Sequence, residues 1–109
     1  MKRRLCSQRV SVSCAARDGW SYTIPGNLEE IEQSSCLLLV EAAVPVGKRV
    51  RVCCGIYQLD GTVTASQYDD VLGVYVDVQF DSDSQWSERR FKPQHMLTPT
   101  PRVALRAAG

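Results

Sequence analysis

Histidine is almost absent from this 109-residue chain, His95 being the one copy. That scarcity excludes most zinc sites and most Ser–His or Cys–His pairs, which need an imidazole held against a partner. His95 itself lies in Lys-Pro-Gln-His-Met-Leu, where packing or solvation explains it more simply than proton transfer. C-x-x-C spacing is also missing. Cys6, Cys14, Cys36, Cys53 and Cys54 are scattered, and adjacent Cys53 and Cys54 fall on opposite faces of a strand, so a metal or redox motif is not expected. Reduced, partly buried thiols in a cytoplasmic protein are the reading that follows. Long apolar runs are lacking too: the longest purely apolar one is Leu37 to Val40, too short to span a bilayer. The basic N-terminus has no apolar stretch behind it, so no signal peptide is read. No Gly-rich loop cradles phosphate, and Asp81 and Asp83 lack the glycine and closing glutamate of a calcium loop. The Glu29, Glu30 and Glu32 cluster has no flanking acid or metal ligand, and reads as a solvated face or turn. An enzyme is not expected, and neither is a cofactor.

Acidic residues are missing from one place in particular. The stretch before Asp18 carries Lys2, Arg3, Arg4, Arg9 and Arg17 unopposed, although the chain as a whole has 13 basic and 12 acidic residues. A net charge of +1 argues against wholesale nucleic-acid coating, so the asymmetry is local. Arginine binds phosphate through two parallel hydrogen bonds and stacks on flat rings, which places an anion first among partners. A solvated basic terminus is the plainer alternative.

What is present is period two. The length and an apolar fraction of 44% suit one soluble domain with one core. Val10, Val12 and Cys14 alternate with serines on a first strand, and Trp20, Tyr22 and Ile24 follow after the Asp18-Gly19 turn. Pro25-Gly26 is expected to break the chain, ahead of a polar stretch to Glu32 and an apolar strand from Cys36 to Glu41. Val50, Val52 and Cys54 form one strand face, with Arg49, Arg51 and Cys53 on the other. Leu59, Gly61, Val63 and Ala65 belong to the next, and Gln67 to Asp70 reads as a polar hairpin loop. In the clearest strand Val74, Val76, Val78 and Phe80 face inward, while Tyr75, Asp77 and Gln79 face out. One helical turn from Trp86 or Ser87 to Arg90 stops at Pro93, and Met96-Leu97 docks back on the sheet. Residues 98–109 read as a flexible tail. The expected fold is all-β, a small antiparallel barrel of six to seven strands with one short helical turn.

Three segments occur in the order of a known pattern: Gly47-Lys-Arg-Val-Arg-Val52, Leu59-Asp-Gly-Thr-Val63 and Gly73-Val-Tyr-Val-Asp-Val-Gln-Phe80. With the stretch Gln85 to Leu97 and the arginines ahead of the first strand, the chain from about Arg3 to Leu97 resembles a PilZ domain, the bacterial receptor fold for cyclic di-GMP. The resemblance implies a signalling barrel with a basic arm (1–9) whose Arg3, Arg4 and Arg9 hold the dinucleotide, relayed to a partner protein. The family's [D/N]xSxxG motif falls on Glu30 to Ser35, where Glu30, Glu32 and Ser35 replace aspartate, serine and glycine. Arg4 and Arg9 are spaced one residue wider than the family's RxxxR. Glu30 keeps an acceptor for a guanine edge, whereas Glu32 adds charge near phosphate and Ser35 lacks glycine's access to positive φ. The alternative implied is a degenerate PilZ-like adaptor that binds protein and no nucleotide. A five-stranded SH3-like or Tudor-like barrel, leaving residues 1–26 outside the core, is a third reading.

Overall fold

The computed structural model describes residues 3–16 and 19–97, without the side chains of residues 16, 20 and 21. The tail 98–109, Lys2 and Arg17, and the side chain of Trp20, lie outside the described residues. Six strands are present: β1 (Arg4–Ala16), β2 (Gly19–Ile31), β3 (Ser35–Val40), β4 (Arg49–Cys54), β5 (Tyr57–Asp69) and β6 (Gly73–Phe80). All neighbours are antiparallel, and they close into a barrel in the order β1-β2-β3-β6-β5-β4. The alternating residues fill it as their period demands: Val10, Val12 and Cys14 from β1 meet Val50 and Val52 from β4, with Val74, Val76, Val78 and Phe80 from β6. Because β1 and β2 are integral to the closed barrel, the five-stranded arrangement that would leave residues 1–26 outside does not apply.

The basic segment is strand rather than free arm. β1 starts at Arg4, not near Val10, because β2 runs on past Pro25-Gly26 and offers partners from Arg9↔Asn27 to Arg4↔Ile31. Pro25 is tolerated because β3 pairs with β2 only from Gly26 onward, so one side of Pro25 needs no ladder bond. Gly26 is a close-packing point instead of a break: a Cβ there would lie 2.9 Å from Cγ1 of Val40 and 3.4 Å from Cγ2 of Val12. At the β5–β6 turn, strand extends through the expected loop to Asp69, whose Oδ1 accepts from the N–H groups of Val71 (2.9 Å) and Leu72 (2.8 Å).

After β6 the chain straps one side of the barrel. The N–H of Trp86 donates to the Gln33 carbonyl at 2.8 Å, and its buried indole donates to the Phe91 carbonyl at 3.1 Å. Where a helical turn is expected there is a hydrogen-bonded turn and no helix, the Arg90 N–H lying 3.0 Å from the Ser87 carbonyl. Phe91 stacks on Tyr57 at a ring separation of 5.1 Å. The strap then joins β1: Ser7 N–H donates to Gln94 O (3.0 Å), and Leu97 N–H to Leu5 O (2.8 Å). The expected docking of Met96-Leu97 is thus observed.

Candidate functional site

The outer face of the barrel carries a row of directly opposed residues, Leu5–Glu30–Leu37–Asp77–Ala65, running across β1, β2, β3, β6 and β5. A second row, Arg9–Asn27–Leu39–Tyr75–Gln67, runs beside it. Three register shifts border these rows, between Leu5 and Gln8, Leu28 and Glu30, and Val63 and Ala65. A bulge bends its strand and resets which residues face out. Hence Glu29 and Glu30, which plain alternation sends to opposite faces, both reach the outer side. The result is a groove of about 770 Å³, walled by Arg3, Leu5 and Cys6 on one side and by residues 65–69 on the other, with Glu29, Glu30, Leu37, Tyr75 and Asp77 between.

The groove is acidic. Among the described lining residues one guanidinium, that of Arg3, faces the carboxylates of Glu29, Glu30, Asp69 and Asp77. Arg3 is already engaged: Nη1 lies 2.5 Å from Asp77 Oδ1, while Nε and Nη2 donate to Ser35 Oγ at 3.2 and 3.1 Å. The two backbone N–H groups on Asp69 hold its carboxyl below the usual carboxylate range, so it stays ionised. The Cys6 thiol is pushed up to about 11 by burial and then by Glu29 and Glu30, so it stays neutral and is no nucleophile at physiological pH. Among the described residues no group of three His, Cys, Asp or Glu side chains is placed to hold a metal ion.

The residues expected to form one clasp are dispersed. Arg3 and Glu30 line the groove. Arg4 follows Arg3 along an extended chain and points away, onto the strap, with Nη1 3.0 Å from Glu88 Oε1 and 3.6 Å from Met96 Sδ. Arg9 belongs to the second row and lines a separate hollow of about 180 Å³ with Asn27, Leu39 and Leu72. Glu32 lies in the β2–β3 turn, where its carboxylate accepts from Ser34 Oγ at 2.9 Å. Ser35 is buried beneath Arg3, and its φ is not positive, so glycine's conformational freedom is not needed there. Period two does point Tyr75 and Asp77 outward, but Glu29, Cys6 and the β5 wall depend on bulges that local pattern does not reveal.

Asn27 of the second row reaches beyond it, its Nδ2 donating to the bulged Glu29 and, at 3.2 Å, to Ser7 Oγ. Two further arginines on the barrel exterior are likewise paired, Arg49 with Asp81 and Arg51 with Asp60. No helix among the described residues is long and apolar enough to cross a membrane. The chain matches no protein-family model, no curated protein and no solved structure.

Proposed function

We propose that this barrel is a protein-interaction adaptor whose outer groove holds a positively charged segment of a partner protein, and that it binds no nucleotide. One observation carries the reading: among the described residues lining the groove one guanidinium, already bonded to Asp77 and Ser35, stands against four carboxylates. A cyclic dinucleotide brings two phosphate charges, and like charges repel most strongly where water is partly excluded. The arginines that the PilZ resemblance assigns to cyclic di-GMP are separated, Arg4 on the strap and Arg9 at a second hollow. A lysine- or arginine-bearing segment meets the opposite situation, attraction without displacing an ion pair.

Calorimetry at low salt tests this. Cyclic di-GMP at about 100 μM is expected to give no heat, whereas a lysine-rich peptide binds with an affinity that falls as salt rises. Glu30→Gln, which leaves the Arg3–Asp77 pair in place, weakens the peptide about threefold to tenfold. Nucleotide binding by the wild type at that concentration overturns the proposal.

A further inference from the structure

β5 has a stretch of free edge. β4 pairs with it from Tyr57 to Thr62, and Val63 is bonded to the chain before β4 (Gly47 N to Val63 O, 2.8 Å; Val63 N to Lys48 O, 2.9 Å). β6 occupies the other side of β5 as far as Asp69. From Ala65 to Asp69 the side away from β6 therefore has no ladder partner among the described residues. An unpaired row of N–H and C=O groups is a template for another strand, and proteins blunt such rows with lysine, proline or a covering segment. The edge of β1 is covered by the strap at Leu5 and Ser7, and that of β2, unpaired by β3 before Gly26, stops at Pro25 and lies away from the groove lining. Residues 64–69, Thr-Ala-Ser-Gln-Tyr-Asp, contain neither lysine nor proline, and the first five are all exposed.

This edge is also a wall of the groove. Successive side chains of a strand point to opposite faces, yet residues 65–69 line the groove without a gap, so the backbone itself forms that wall. Resting on the reading above, we propose that the partner's basic segment binds as an added strand along residues 65–69 of β5. Side chains of such a strand that share the face of Ala65 and Gln67 lie toward Asp77 and the glutamates beyond it. Those on the opposite face meet Tyr68, which is 72% exposed. The occupant is thus an extended segment with lysine or arginine at alternate positions and apolar residues between them. A second copy of this chain is a poorer occupant, because pairing edge to edge brings two acidic grooves together.

The probe is a short peptide alternating lysine and valine, with two versions N-methylated on one or the other set of alternate residues. An added strand uses every second N–H. One methylated version is therefore expected to lose about tenfold in affinity while the other keeps it. Hydrogen exchange should show new amide protection within residues 65–69. If both methylated versions bind like the parent and no protection appears, strand addition is wrong while the cationic reading stands. If an alternating glutamate–valine peptide binds as tightly as the lysine peptide, or no lysine peptide binds, the cationic reading falls and this inference with it. Concentration-dependent dimerisation that protects the same amides overturns the choice of occupant.

Discussion

Arg3 and Cys6 show how much of the groove's character comes from neighbours rather than from residue type. An arginine-led segment reads as an anion clasp, but Arg3 bridges Asp77 and Ser35, and its charge is answered within the fold. Cys6 reports the same field from inside the groove, since Glu29 and Glu30 add to burial in raising its pKa to about 11. At pH 8 its alkylation should run about a hundredfold slower than that of a free thiol, as judged by mass spectrometry, and Glu30→Gln should speed it. The sign for stability follows from the raised value. The folded state holds the proton more tightly than the unfolded chain, so this contribution is complete below about pH 9 and lost between there and about pH 11. Across that window the denaturant midpoint of wild type should therefore fall relative to that of Cys6→Ser, whose hydroxyl does not titrate there, while below it the difference between the two stays constant.

At the scale of elements, β5 decides the shape of the site. Its first half pairs with β4, its second half only with β6, and the irregularity at Val63/Ala65 turns the strand from core wall to groove wall. Gly61 lies where the two pairings overlap, opposite both Val50 and Phe80. A Cβ at Gly61 would collide with the backbone carbonyl of Gln79 and come within 2.8 Å of Val78 Cγ1, so neither a side-chain rotation nor a small shift relieves it. Gly61→Ala is expected to cost about 1–3 kcal/mol in chemical denaturation, the range for overpacking. Ala65→Ser, on the exposed part of the same strand, should change stability by less than about 0.5 kcal/mol. A cost at position 65 equal to that at 61 would mean that the outer half of β5 is packed rather than free.

The whole molecule is held by contacts between distant parts of the chain. β1 closes on β4 through Ser11↔Cys53 to Cys14↔Val50, and the strap returns from β6 to β1. Trp86 joins the strap to the barrel: its ring is buried with the core, and both of its N–H groups are bonded. Trp86→Ala leaves a large void and unseats the strap, so a loss of about 3–5 kcal/mol is expected in thermal or denaturant unfolding. Because one core runs through all six strands, the transition should remain single and cooperative. An early partial transition confined to residues 81–97 would show that the strap is an independent layer.

Alternation along the chain, read by itself, determined the all-β class, the inward set Val74, Val76, Val78 and Phe80, and the outward pair Tyr75 and Asp77. That information is local, because a strand's side-chain period is fixed by its own backbone. Only the tertiary structure decided that Arg4 to Arg9 belong to β1, that Arg3 meets Asp77 and Ser35, and that Glu29 and Glu30 face the same groove. Those facts depend on which strands pair and where an extra residue is inserted. Barrel closure sets both through contacts between residues far apart in sequence, and a single inserted residue reverses every later position's face. The basic N-terminus therefore read as a clasp for an anion, while the carboxylates that surround Arg3 became visible only when the strands were placed side by side.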